Sequence, residues 1–194
     1  MTAVRLIEPS LEALPGYRAA LERGWPSHES RDRTAEELAA IRADEHEFVA
    51  EARRHEGGSV TLDNGSVVPR LPGRTFWPWD GEVCGGINIR VVPGTLDLPP
   101  HTPRHVGYGV VPWKRNLGYA TQALAALLPV ARKLGLSRVS VACDVGNVGS
   151  RRVIEKNGGV FAGERERPDR AGELKLLFWI DTVRAAGVEQ FVPS

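Results

Sequence analysis

The sequence predicts an α/β (α+β) fold, a mixed and mostly antiparallel central sheet flanked by helices. Three observations carry this expectation. Residues 106–135 pass directly from a strand pattern through a short basic loop into an amphipathic helix. Beyond them, strand-like runs at 138–144, 160–161 and 174–180 alternate with one further short helix. Ahead of them, helical segments are followed by β-prone runs joined by turn signals, which is not the strict alternation of a parallel sheet.

Taken in order, Val4 to Glu8 reads as a first strand closed by Pro9. Ser10 is placed to cap a helix over Leu11 to Arg23, which Trp25-Pro26 breaks. A second helix is expected over 34–54, with Leu38, Ile41, Phe48 and Val49 as its apolar stripe and its many charges forming a solvated face. Asp63-Asn64-Gly65 signals a hairpin between Ser59–Leu62 and Ser66–Val68. Thr75–Trp79 and Glu82–Val92 read as a second hairpin around Asp80-Gly81, with Gly85-Gly86 marking a bulge or close packing. Pro93 to Arg104 is a proline-rich connection.

In the central stretch, Val106, Tyr108 and Val110 alternate with Gly107 and Gly109 until Pro112 ends the strand. Apolar residues then recur every three or four positions from Ala120 to Leu134, and Gly135 stops that helix. Arg138–Asp144 is a strand. A short helix from about Val148 to Lys156 ends at Asn157-Gly158-Gly159, and Glu164 to Glu173 reads as a charged loop before the final strand.

A chain of 194 residues can bury a proper core and is most economically one domain. Its 25 Lys+Arg against 24 Asp+Glu give a net charge of +1, so no broad nucleic-acid or anionic-membrane surface is expected. Cys84 and Cys143 are far apart in apolar contexts and read as reduced structural thiols of a cytoplasmic protein. The five histidines (28, 46, 55, 101, 105) show no ligand spacing, so no metal is expected. The opening residues lack the apolar region of a secretory leader, and no run is long enough to span a membrane.

Strand, basic glycine-containing loop and helix N-terminus is a physical recipe for holding a phosphorylated ligand. The first turn of a helix has unpaired N–H groups and partial positive charge. Gly118 permits close approach of a ligand to the backbone, and Lys114 and Arg115 add formal charge.

Arg115-Asn116-Leu117-Gly118-Tyr119-Ala120 resembles the Arg/Gln-x-x-Gly-x-Gly/Ala signature of the GNAT superfamily of N-acetyltransferases. Asn147-x-x-Ser150, opening a helix after a strand and followed by Lys156-x-Gly158, resembles the family's second recurring block. Both occur in the family's order. Together with Thr75-Phe76-Trp77 and the Gly-Tyr-x-Val-x-Pro run at 107–112, they are similar to a bacterial subgroup of predicted acetyltransferases.

The resemblance implies a single acetyltransferase domain over 1–194, with 1–73 on the acceptor side and 74–181 forming the acetyl-CoA core. It implies middle strands that start together and splay apart. Residues 115–120 would cradle the diphosphate of acetyl-CoA, with Tyr119 beside the cofactor. The edge of Val110 and Val111 would pair with the pantetheine arm, and an N–H near one of them would stabilise the oxyanion. Asn147 and Ser150 would contact the arm, a role weighed equally against capping the helix. The acceptor would be a small-molecule or protein amine that attacks the thioester directly, without a covalent enzyme intermediate, and a homodimer is plausible by family analogy.

Many family members place an acidic tyrosine four residues after that serine; here the position is Ile154. This leaves open a non-catalytic acyl-CoA-binding alternative. Tyr108 and Asp144 are the substitute catalytic candidates, each weighed against packing or turn formation. His105 is a further candidate base, set against simple exposure at a strand start, and Cys143 is read as a buried hydrophobe. Trp25, Trp77, Trp79 and Trp113 are candidate pocket walls or core residues.

Overall fold

A computed structural model describes residues 3–27, 32–62, 65–167 and 170–182. His28 and the Asp63-Asn64 turn therefore lie outside the described residues. Seven strands form one sheet: β1 (Arg5–Ile7), β4 (Gly73–Trp79), β5 (Gly85–Arg90), β6 (Val106–Val110), β7 (Arg138–Asp144), β9 (Arg170–Asp181) and β8 (Val160–Arg167), in that spatial order. The remaining pair, β2 (Ser59–Thr61) and β3 (Val67–Pro69), makes a small separate hairpin.

Every neighbouring pair in the large sheet is antiparallel except β6 and β7. Those two run parallel and share a single paired position, Val106 with Val141. Past that point the strands part, as expected of the splayed pair.

The alternation of each strand sends its side chains to two separate cores. Ile87, Ile89, Val106, Val139, Val141 and Cys143 face α4 (Tyr119–Lys133) and α5 (Val148–Lys156), meeting Leu124, Leu127 and Ile154. On the other face, Trp77, Val83 and Val111 pack with α1 (Leu14–Glu22), α2 (Thr34–Ala43) and α3 (Glu45–Arg53) through Leu14, Tyr17, Trp25, Ile41 and Val49. Tyr17 stacks on Trp77 at 4.4 Å and meets Trp25 edge-on at 5.5 Å, the two arrangements that aromatic quadrupoles favour.

Three local expectations are corrected. The helix read over 34–54 is two helices, because Asp44 takes an extended conformation and its carboxylate accepts the Glu47 N–H as the cap of α3. The regular first helix begins at Leu14 rather than Leu11, and Ser10 caps the turn that leads into it, its Oγ accepting the Ala13 N–H at 3.3 Å and its carbonyl the Leu14 N–H at 2.9 Å. The charged stretch after Phe161 is largely strand: Glu164, Arg165 and Glu166 pair with Leu176, Lys175 and Leu174. Alternating charge there suits the exposed edge strand of the sheet, which it protects from pairing with other chains.

Candidate active site

The basic loop sits where β6 ends. A 3₁₀ turn, Pro112–Lys114, leads into it, and Asn116 (φ 62°) and Gly118 (φ 82°) are both left-handed. The first backbone bond of α4 runs from Gln122 N–H to Gly118 O at 3.1 Å, and no side chain caps the helix. The contrast with α5 is informative: Asn147 caps that helix by accepting the Ser150 N–H at 2.9 Å. Arg115 and Leu117 are exposed, and Arg115 Nε donates to Val110 O at 3.3 Å.

Lys114 is corrected. It does not face the loop's ligand side but is buried, with Nζ 2.7 Å from Asp80 Oδ1 and 2.8 Å from Glu82 Oε1. Tyr119 joins the same cluster, donating its hydroxyl to Asp80 Oδ2 at 2.5 Å. Burial alone would raise the Asp80 carboxyl, but the hydrogen bonds from Lys114 and Tyr119 outweigh it and hold the group well below the carboxylate range. Cys84 lies 3.5 Å from Lys114 Nζ, yet burial pushes its thiol up to about 12 and keeps it protonated. Asp80-Gly81 read only as a turn in the sequence. The anchoring role of Asp80 has no local signal because its partners are more than thirty residues away.

The free edge of β6 is defined by its hydrogen bonds. Val111 N–H donates to Cys84 O at 3.0 Å, and Arg90 N–H donates to His105 O at 2.9 Å. Odd-numbered residues of this strand therefore bond toward β5, while Tyr108 and Val110 present their backbone to the gap beside β7. Val111 is thus corrected as an oxyanion donor: its N–H is consumed and its side chain is fully buried.

Tyr108 also packs against the α4–α5 core, and its hydroxyl reaches Ser150 Oγ at 2.7 Å, at the start of α5. Ile154, one turn further on, is fully buried. Asp144 ends β7, accepts the Asn147 N–H on its carbonyl at 2.9 Å, and pairs its carboxylate with Lys175 at 3.1 Å.

His105 is corrected from an exposed residue to a buried one. Ser140 N–H donates to its Nδ1 at 3.1 Å, which places the ring proton on Nε2, and burial lowers its pKa to about 4. Cys143 is buried, as read. Trp25 and Trp77 belong to the core, whereas Trp79 and Trp113 are half-buried; Arg23 lies 3.5 Å over the Trp113 ring. Among the described residues no group of His, Cys, Asp and Glu could hold a metal ion, and no helix is long and apolar enough to cross a membrane.

A parted strand pair, one strand of which leads through a left-handed loop into an uncapped helix, is a frame for an extended thioester carrying a diphosphate. The family model described as "Acetyltransferase (GNAT) domain" matches residues 17–160, and the chain belongs to that family of acetyltransferases. It is an N-acetyltransferase of the GNAT type.

Solved structures share its fold at low identity. A ribosomal L7/L12 alpha-N-protein acetyltransferase, RimL, in complex with coenzyme A is 14% identical, with TM-score 0.60, covering 94% of this chain and 97% of that one. A putative ribosomal-protein-serine acetyltransferase from Vibrio cholerae is 18% identical, with TM-score 0.59, over 93% and 95%. The microcin C7 self-immunity acetyltransferase MccE, in complex with acetyl-CoA and AMP, is 12% identical, with TM-score 0.58, over 93% of each chain. No curated protein matches the sequence.

Proposed function

We propose that acetyl-CoA lies in the gap between β6 and β7 and that Tyr108 completes the chemistry. The observation that carries this is the Tyr108 hydroxyl, 2.7 Å from Ser150 Oγ at the point where the two strands have separated. The diphosphate rests on the amides and exposed charge of Arg115, Asn116, Leu117, Gly118, Tyr119 and Ala120. The pantetheine arm follows the free edge at Val110 and passes Asn147 and Ser150. Val110 N–H stabilises the oxyanion.

A neutral amine attacks the thioester carbon, the C–N bond forms and the C–S bond breaks. The departing thiolate takes its proton from Tyr108, and the proton released by the amine passes through water to restore the tyrosine. Asp144 serves the turn and the pair with Lys175 rather than the reaction. Tyr108 thereby fills the need left by Ile154, which favours the catalytic reading over a binding-only one.

In this reading residues 1–73 shape the acceptor side and 74–181 the cofactor side of one domain. The enzyme works in the cytoplasm on a small-molecule or protein amine, engages neither nucleic acid nor membrane, and forms a homodimer. The test is release of free thiol from acetyl-CoA with an amine panel, alongside calorimetric binding of coenzyme A. Failure of coenzyme A to bind the folded protein would overturn the site.

A further inference from the structure

Helix α5 has an inner and an outer side. Ile154 is buried and Val153 and Asn157 are half-buried on the inner one, while Arg151, Arg152, Glu155 and Lys156 are exposed on the other. Both ends of the helix are fixed beside the proposed cofactor path. Ser150 Oγ, near its start, lies 2.7 Å from the Tyr108 hydroxyl. Asn157, just past its last residue, donates Nδ2 to Thr121 O at 3.2 Å, in the first turn of α4. The helix therefore runs from the thioester end of that path to its diphosphate end.

The charges on the outer side do not balance. Arg151 Nε holds Glu155 Oε1 at 2.8 Å, one turn away, and Glu155 is the only acid of the helix. Arg152 and Lys156, also one turn apart, meet no carboxylate among the described residues. Like charges at this spacing repel, so two cations kept side by side without an acid call for an anion. There is room for one. An open depression of about 550 Å³ is lined by Arg152, Glu155 and Lys156. Gly149 and Gly158 bracket the pair with bare backbone: a side chain at Gly158 would meet nothing within 4 Å, and one at Gly149 would meet only Asn147 Oδ1, at 3.7 Å.

We infer that Arg152 and Lys156 hold the 3′-phosphate of coenzyme A, and that this pair makes the enzyme select the full cofactor over forms lacking that group. This rests on the cofactor placement proposed above. In coenzyme A the 3′-phosphate stands one ribose beyond the diphosphate. Lys156 stands one residue before Asn157, whose anchor Thr121 is three residues past Gly118 in the diphosphate loop. A phosphate monoester carries a charge of about −1.5 to −2 at neutral pH and offers three oxygens. The Arg152 guanidinium can pair two of them, and the Lys156 ammonium adds a compact charge. The Arg151–Glu155 pair keeps the one nearby carboxylate from neutralising either cation.

The test compares coenzyme A with dephospho-coenzyme A by calorimetry, on the unmodified protein and on Arg152→Gln, Lys156→Gln and the double variant. The unmodified protein is expected to bind coenzyme A about tenfold more tightly, a preference that narrows as salt is raised. Each single variant is expected to reduce that ratio. The double variant is expected to bring it close to one while its affinity for dephospho-coenzyme A stays as it was. Adenosine 3′,5′-bisphosphate is expected to displace coenzyme A at concentrations where inorganic phosphate does not. If the unmodified protein binds both cofactor forms equally, or the double variant weakens both alike, the inference falls while the diphosphate loop stands. If inorganic phosphate competes as well as the bisphosphate, the pair is a general anion site and the inference also falls. If neither cofactor form binds, the cofactor placement fails first and takes the inference with it. The comparison of the two forms needs no substitution, so it holds even where a variant does not fold.

Discussion

Lys114 Nζ sits between the two carboxylate oxygens of Asp80, 2.7 Å from one and 2.8 Å from the other, and only a tenth of either side chain is exposed. The pair ties the entrance of the 115–120 loop to the β4–β5 hairpin, and Tyr119 adds the first residue of α4 to the same carboxylate. Removing one member leaves the other charged and buried. Lys114→Met is therefore expected to cost about 3 kcal/mol of stability, read as a lower urea midpoint at unchanged slope. A loss below about 1 kcal/mol would mean that the pair is solvated in solution.

Buried His105 gives the protein a mildly acidic limb. Its folded pKa of about 4 lies below the ordinary value of 6.5, so the native state binds fewer protons than the unfolded chain across that interval. Its contribution is fully present above pH 6.5 and is lost as pH falls toward 4. Unfolding free energies measured between pH 7 and 4 should fall less steeply in His105→Gln than in the wild type. Asp80 acts lower still: its depressed pKa contributes stability above the usual carboxylate pKa and loses it in stronger acid.

Gly118 has φ 82°, where a β-branched residue is strained, and its amide lies in the loop proposed to hold the cofactor. Gly118→Val is expected to weaken acetyl-CoA binding at least tenfold, about 1.4 kcal/mol. Arg115→Ala is expected to weaken it by an amount that shrinks as salt is raised. Calorimetry at two ionic strengths reads both effects, and unchanged affinity in the folded variants would remove the loop from the site.

Tyr108→Phe keeps the packing of the ring and removes the hydroxyl bonded to Ser150. A ten- to hundredfold drop in kcat with little change in KM for acetyl-CoA is the expected result. Equal kcat would return the tyrosine to a purely packing role.

Asn147→Ala deletes the cap of α5 and should cost about 1 kcal/mol, measured by thermal unfolding. Any loss of coenzyme A affinity beyond that of the destabilised fold would show that the residue also touches the arm.

The local parts of this architecture were legible because their causes are local. The strand, loop and helix of residues 106–135 were visible in alternation, glycine and a three-to-four repeat, and Gly158 supplies the left-handed turn read after α5. The break at Asp44 was missed because the apolar stripe continues through Ile41, Phe48 and Val49 on both sides of it. The strand at 164–166 was missed because its pattern is charged, and its pairing depends on a partner strand. Lys114 reads as a ligand for phosphate from its neighbours alone, because its true partner, Asp80, lies 34 residues earlier. Val111 reads as a free edge in the sequence, yet its N–H is taken by the carbonyl of Cys84. Long-range partners of this kind leave no trace in spacing.

The two cores meet the sheet on opposite faces, and few residues belong to both sides. One practical result is modularity. On the proposed division of the domain, helices α1–α3 and their aromatic cluster would drift, or be redesigned, to recognise a different recipient while the donor half on α4 and α5 stayed intact. Chimeras exchanging the first seventy-odd residues between relatives would then trade recipients and keep their affinity for the common acyl carrier.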